Sequence, residues 1–382
     1  MNIVFLDCTQ QLGYQFSAAN TKVEMLAAGL SCQGDTVSVI NGLDGRAGLG
    51  SREVRHAENI KEIITYPRPR GGALCSPVNM PALFRDLKRL FVPGEKNILV
   101  LETQLIHIFH TYVAVGHRLG YKIAVISHEW LPTVRRRFWV QNLSASLFAR
   151  TFGRKTDAIL PISEYIIERI KPFGKPFLKT PVLAGFKDAD NLPRESGSYF
   201  LYCVYAFYFR AIKTAIDGYA RYRSSVASPY RLVLVLSGSD EQIARVSDYA
   251  ASLGLGSDVS VRSKVPYADL LELYRSAAGL LIPLDPAVEQ DKARFSQKIA
   301  EYVSTGVPVI SNNVGEVAHY FTDRENIVLG DYSAAGFAGS FAWIQNHPAE
   351  ALAIGRRGYE LGRREFDSIA FGRKLHDFLS EI

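Results

Sequence analysis

The chain has 382 residues, 47% hydrophobic and 21% charged, a globular balance that excludes a disordered chain and exceeds the usual size of one hydrophobic core. A net charge of +6 favours polyanionic partners: nucleic acid, an anionic membrane or nucleotide phosphates. No zinc-finger spacing or RNA-binding aromatic signature is present, so nucleic acid is not expected, and apolar runs such as Leu232 to Leu236 fall short of a membrane span. Cys8, Cys32, Cys75 and Cys203 are scattered without metal-ligand spacing, so neither disulfides nor structural zinc are expected. The chain opens directly into NIVFLD without a signal-peptide layout, and a cytosolic protein is expected.

In chain order, strand-like NIVFLD is followed by the helical TKVEMLAAGLSCQG, then TVSVI, NILVLE, the YVAVGHRLG helix, KIAVIS and DAILPIS. Continuous apolar strands alternating with helices predict a parallel sheet covered on both faces. The polar, Gly- and Pro-containing stretch Leu183 to Ser198 interrupts the pattern, which then restarts with YFLYCVY, AIKTAIDGYARYR, RLVLVLSG, EQIARVSDYAASLG, DVSVRSKV, ADLLELYRSA, GLLIPL and GVPVIS. The expected organisation is a Rossmann-like domain over 1–185, a second over 196–365, and a C-terminal helix over 366–382 that packs back on the first. Two such halves facing each other imply a cleft, with ligands at the C-terminal strand edges.

The stretch RFSQKIAEYVSTGVPVISNNVGE, Arg294 to Glu316, combines chemistry rarely needed for a core. Ser296 is a suitable N-cap for a helix from Gln297 to about Thr305, with Gly306 as its stop. A helix N-terminus beside Arg294 attracts a phosphate. Lys298 and Glu301 share one face; they form either an exposed ion pair or a carboxylate for ribose hydroxyls with its cation. Elsewhere, RAIKTAIDGYA sets Arg210 and Lys213 at a helix start, to be read as phosphate ligands or as solvated cations. Ser237 and Gly238 end a strand where a backbone approaches a ligand closely, and Lys264 and Val265 follow another; both are equally read as plain loops. Gly13 lies after the first strand, and His128, followed by Glu129 and Trp130, ends a buried strand where active-site groups of α/β folds collect or where a structural histidine is satisfied. His107, His110 and His117 read as structural or surface residues. Asp188 and Asp190 have a D-x-D form but fall in the expected linker, so no metal site is expected. From Thr133 to Lys155, Arg135, Arg136, Arg137, Arg150, Arg154 and Lys155 alternate with Phe138, Trp139, Phe148 and Phe152. That composition suits an anionic membrane surface, or a surface helix whose aromatics face the core.

The Arg294 to Glu316 run, with its G-x-P-V-I and G-E, resembles the donor-site signature of family 4 glycosyltransferases. The resemblance covers most of the chain and implies the GT-B fold, no cofactor, and retaining transfer from a nucleotide diphosphate sugar to a glycan or lipid-linked acceptor. Cell-surface polysaccharide synthesis on the cytosolic face of a membrane is the implied setting. Glu301 matches the second of two signature glutamates, which serves the donor ribose; Arg294, Phe295, Ser296 and Lys298 fall within the same donor loop. Arg210 and Lys213 match a basic pair that neutralises the diphosphate, Gly13 falls in a diphosphate loop, Lys264 and Val265 fall against the nucleobase, and His128 falls beside sugar or acceptor. The first signature glutamate is replaced by Ala293, with Glu289 and Asp291 just upstream. That departure keeps two alternatives open, a catalytically weak sugar-nucleotide-binding homologue that supports a partner enzyme and a nucleotide-sugar epimerase. A nicotinamide-dependent dehydrogenase is disfavoured because TQQLGYQF lacks G-x-G-x-x-G.

Overall fold

The computed structural model describes residues 1–6, 18–41, 52–64, 80–103, 105–134, 138–186 and 189–382. The chain divides into two compact units, Met1–Gly185 with Phe366–Ile382, and Phe186–Glu365.

The first unit contains strands β1 (Asn2–Leu6), β2 (Thr36–Asn41), β3 (Arg52–Ala57), β4 (Ile60–Ile64), β5 (Asn97–Leu101), β6 (Lys122–Ser127) and β7 (Ala158–Pro161). Its helices are α1 (Ala18–Ser31), α2 (Met80–Leu90), α3 (Ile106–Leu119), α4 (Trp139–Thr151) and α5 (Glu164–Ile170). The sheet runs β3-β4-β2-β1-β5-β6-β7. All five residues of NIVFL and of NILVL are buried, as strands covered on both faces require. The expected parallel sheet carries one antiparallel edge strand, since β3 pairs antiparallel with β4. The two are joined by a tight turn over 58–59, and a hairpin permits only antiparallel pairing. Its strand REVRHA is polar, with none of the apolar continuity that marks the others.

The second unit contains β8 (Tyr199–Tyr205), β9 (Arg231–Ser237), β10 (Val259–Ser263), β11 (Gly279–Ile282), β12 (Val309–Ser311) and β13 (Val328–Leu329). Its helices are α6 (Phe209–Ser225), α7 (Asp240–Ser252), α8 (Tyr267–Arg275), α9 (Glu289–Ala293), α10 (Gln297–Val303), α11 (Val317–Tyr320), α12 (Ala334–Asn346) and α13 (Pro348–Phe366). Sheet order β10-β9-β8-β11-β12-β13 is the doubly wound arrangement that starts in the middle and reverses between β8 and β11. Leu232, Leu234 and Leu236 of β9 pack with Tyr219 and Tyr222 of α6 and Phe341 of α12. The buried phenols are satisfied, Tyr219 donating to the Tyr230 carbonyl at 2.9 Å and Tyr222 accepting from the Tyr230 amide at 2.8 Å. Residues 189–195, linker-like in composition, belong to this unit: a Cβ on Gly306 would lie 2.8 Å from Leu192 Cδ2.

The last helix, α14 (Ser368–Glu381), belongs to the first unit. Asp367 caps it by accepting from the amides of Ile369 and Ala370, and Phe371, Leu375 and Leu379, spaced one turn apart, enter the core beside Val23, Leu26 and Leu30 of α1. Each such side chain contributes about 1.5–3 kcal/mol relative to exposure. The crossing is set by two glycines, since a Cβ on Gly372 would stand 2.3 Å from the Gly29 carbonyl carbon. Gly372→Ala is therefore expected to push α14 off α1 and destabilise the first unit by about 1–3 kcal/mol. A calorimetric scan checks this, and an unchanged melting temperature would contradict the packing.

Candidate functional site

The order reversal between β8 and β11 makes a topological switch point, and it is at the carboxyl ends of the strands beside such a point that doubly wound sheets bind ligands. Two connections border it. One leaves β8 through Tyr208 into α6, and the other leaves β11 through Asp285, α9 and Arg294 into α10.

Asp285 is 4% exposed and lies 2.9 Å from Arg210 Nε, an ion pair without hydrogen-bond alignment. The Arg210 side chain is otherwise 72% exposed, in the first turn of a long helix whose N-terminus has no side-chain cap. Positive charge, free guanidinium donors and the helix dipole thus coincide at one point. On the other connection, Asp291 accepts from the Asp285 amide at 2.8 Å and pairs with Arg294 Nη2 at 2.7 Å, while Arg294 Nη1 donates to the Tyr208 hydroxyl at 2.6 Å. Burial opposes charge on the guanidinium, but Asp291 and Tyr208 outweigh it and raise the pKa of Arg294. Arg294 therefore serves first to fasten the two connections together.

Lys298 and Glu301 meet at 2.8 Å, and the pair is not the exposed one that spacing alone allows. Glu301 is 6% exposed, and although burial desolvates Lys298, the neighbouring carboxylate is a main reason its pKa is raised. The next residue, Tyr302, accepts from the Cys203 amide at 3.1 Å and so ties α10 to the end of β8. The helix ends at Val303, two residues before the expected Thr305, and Ser296 occupies the N-cap position without a side-chain cap bond. Gly306, at φ 72°, takes the left-handed conformation expected of a stop.

Other expected site residues fall elsewhere. Lys213 pairs with Asp217 at 2.7 Å and lies 4.8 Å from the Tyr249 ring centroid, and the Asp217 hydrogen bond raises its pKa to about 12. It has to leave Asp217 to serve a diphosphate. Phe295 is a packing residue, 5% exposed and stacked on Tyr320. Lys264 and Val265 line a shallow cavity of about 760 Å³ with Tyr199, Arg262 and Pro266. Ser237 ends β9 exposed, and Gly238 allows close packing, since a Cβ there would lie 2.8 Å from Gln242 Oε1. Ala293 is 1% exposed, Asp291 is committed to Arg294, and Glu289 is exposed at the start of α9. Gly13, Arg135, Arg136, Arg137 and Asp188 lie outside the described residues, and Asp190 is exposed. Among the described residues no group of three or more His, Cys, Asp and Glu is arranged to hold a metal.

In the first unit the sheet order reverses between β1 and β5, and Glu102 stands at the end of β5. His128, just after β6, places Nε2 3.7 Å from Glu102 Oε1. Behind them Lys22 of α1 is 3% exposed and donates to the Thr180 carbonyl at 2.9 Å. Burial lowers the pKa of Lys22 to about 7, against the pull of Glu102, and burial together with Lys22 lowers that of His128 to about 3. His128 is thus a neutral imidazole, despite the nearby carboxylate, and its buried Nδ1 has no hydrogen-bond partner among the described residues. Sequence reading singled out His128 but missed Lys22 and Glu102; the one available signal was a carboxylate directly after an apolar strand.

The depressed Lys22 pKa has a definite sign. Between about pH 7 and the ordinary lysine value the unfolded chain holds the proton and the folded chain does not, so the contribution of Lys22 to stability rises with pH. The stability of the wild type relative to Lys22→Met should therefore increase from pH 7 to 10, by at most about 1.4 kcal/mol per pH unit. Melting temperatures of both proteins across that range test it; a constant gap would show that Lys22 is not desolvated.

Residues 224–376, about two-fifths of the chain, match the family model described as glycosyl transferase-like. The structure resembles sucrose-phosphate synthase from Thermosynechococcus elongatus over 100% of this chain and 99% of that one, with a TM-score of 0.73 and 16% identity. It resembles Anabaena HepE in complex with UDP and glucose over 100% of both chains, with a TM-score of 0.71 and 12% identity. It also resembles an α,α-trehalose-phosphate synthase (UDP-forming) from Burkholderia vietnamiensis over 100% of this chain and 98% of that one, at a TM-score of 0.72 and 11% identity. No curated protein matches the chain by sequence. The fold is GT-B, and the chain carries a glycosyltransferase domain.

Proposed function

We propose that this protein is a retaining, family 4-like glycosyltransferase that moves a sugar from a UDP-sugar to a glycan or lipid-linked acceptor, in cell-surface polysaccharide synthesis at the cytosolic face of a membrane. The observation that carries the reading is the switch point of the second unit, where exposed Arg210 follows β8 and the half-buried Lys298–Glu301 pair, its carboxylate buried, follows β11. The choice of uridine is supported by similarity in fold to HepE, solved with UDP, with UDP and glucose, and with UDP-glucose.

In this reading Glu301 accepts hydrogen bonds from the ribose hydroxyls, oriented by Lys298. Arg210 and the N-terminus of α6 receive the diphosphate, joined by Lys213 once it exchanges Asp217 for phosphate. The bond from the anomeric carbon to the β-phosphate oxygen breaks, and the acceptor oxygen bonds to that carbon on the same face. The acceptor proton passes to the departing phosphate oxygen, so no protein base is required. Negative charge grows on the leaving diphosphate, and Arg210, held beside Asp285, stabilises it together with the N-terminus of α6. No cofactor or metal takes part. In the first unit, neutral His128 offers a hydrogen bond to sugar or acceptor. With Ala293 in place of the first signature glutamate, the transferred sugar is recognised without a carboxylate at that position.

Ala293 favours a second reading, a sugar-nucleotide-binding protein without transfer activity that supports a partner enzyme. A thermal-shift series of nucleoside diphosphates and their sugars, followed by incubation of the stabilising donor with and without acceptors, separates the two. UDP and a UDP-sugar are expected to raise the melting temperature. Arg210→Ala should lower kcat/KM about 10²–10³-fold, and Glu301→Ala should mainly weaken donor binding, by about tenfold or more for loss of a charged hydrogen-bond acceptor. Wild-type turnover in both variants would overturn the assignment. Binding without transfer or hydrolysis would favour the second reading, and conversion of donor without acceptor would indicate an epimerase.

A further inference from the structure

Helix α4 is apolar on two opposite faces. At about 100° per residue, Ala145, Phe148 and Ala149 fall on one side and are buried, and Phe148 meets Phe109 edge-on and stacks on Phe152. These contacts satisfy the fold. On the other side Trp139, Val140, Leu143 and Leu147 form a stripe about 100° wide, 74%, 46%, 49% and 43% exposed, with Phe138 just before it at 58%. Five of the ten large apolar side chains exposed among the described residues thus fall within 138–147, which is too concentrated for scattered surface hydrophobics.

The charge around the stripe identifies its occupant. Arg150 is exposed and aligns with the stripe, and exposed Arg154 and Lys155 follow it. None of the three has an ion-pair partner among the described residues. In the sequence, residues 130–156 hold six Arg and Lys and no Asp or Glu, while the rest of the chain is balanced. The entire net charge of +6 is therefore concentrated in this segment. A second copy of the chain would bring like charges together across a two-fold axis, whereas an anionic lipid surface accepts both the cations and the apolar stripe. At 13 residues α4 is too short to span a bilayer, and among the described residues no helix is long and apolar enough to do so.

We propose that α4 docks on an anionic bilayer, lying in the interface plane with Trp139, Leu143 and Leu147 at the boundary between headgroups and acyl chains and Arg150, Arg154 and Lys155 at the level of the lipid phosphates. The inference rests on α4 alone and holds whichever sugar the second unit takes.

Flotation of the full chain with vesicles of phosphatidylcholine, with and without phosphatidylglycerol, tests it directly. The wild type should float with the mixed vesicles at low ionic strength, less with phosphatidylcholine alone, and less again as salt is added. A Trp139→Ser, Leu143→Ser, Leu147→Ser variant should lose about tenfold or more of its vesicle affinity. Its melting temperature and its UDP-induced shift should match the wild type, because all three side chains face away from the core. Loss of vesicle binding alone therefore bears on α4, and absence of a UDP shift in both proteins bears only on the donor reading. Wild type that stays soluble with mixed vesicles, a variant that binds them equally well, or a wild-type dimer dissociated by the substitutions without any vesicle binding would each overturn the proposal.

Discussion

The Asp291 carboxylate is the fixed point of the candidate site. It is buried, and a buried carboxylate persists only when paired and hydrogen-bonded, so it draws in the Asp285 amide on one side and the Arg294 guanidinium on the other. Asp285 is thereby held where it meets Arg210, and Arg294 where it meets Tyr208. Arg210 and Tyr208 belong to the connection after β8, and Asp285 and Arg294 to the one after β11. One carboxylate thus determines how two chain segments, remote in sequence, meet beside the switch point.

The same economy operates on α10. Tyr302 ties the helix to β8 through the Cys203 amide, so the adjacent Glu301 is presented at a defined depth. Its pairing with Lys298 spares the carboxylate the cost of an uncompensated buried charge and leaves one cation close by. The first unit holds its own group of buried Lys22 and Glu102 with half-buried His128, also at a reversal of strand order. Desolvation keeps His128 neutral there, which favours hydrogen bonding over charge pairing.

Much of the architecture was legible because buried parallel strands are apolar without interruption. NIVFL, NILVL, RLVLVLS and YFLYCVY all stand where their composition indicated. The hairpin strand REVRHA was not legible, since an edge strand does not need apolar residues on both faces. Neither was the segment over 189–195, whose polar composition conceals the packing of Leu192 near Gly306. Within the site, Lys298 and Glu301 were readable from helical spacing, while the stacking of Phe295 on Tyr320 was not. Asp217 holding Lys213 was a spacing of one helical turn that local reasoning could have weighed.

The sequence by itself determined the class of fold, the restart of strand and helix alternation after the first unit, the charge concentrated in one segment and the local pairing on α10. These depend on periodicity and composition, which act over a few residues. Only the tertiary structure decided that Arg210 faces Asp285, that Asp291 is occupied by Arg294, that Lys22 is desolvated beside Glu102, and that α4 turns a second apolar face outward. Each depends on contact between segments far apart in the chain, or on which side of a helix the core happens to lie. Burial then sets the electrostatics of such groups, and the burial of a charged side chain is a property of packing that no local pattern encodes.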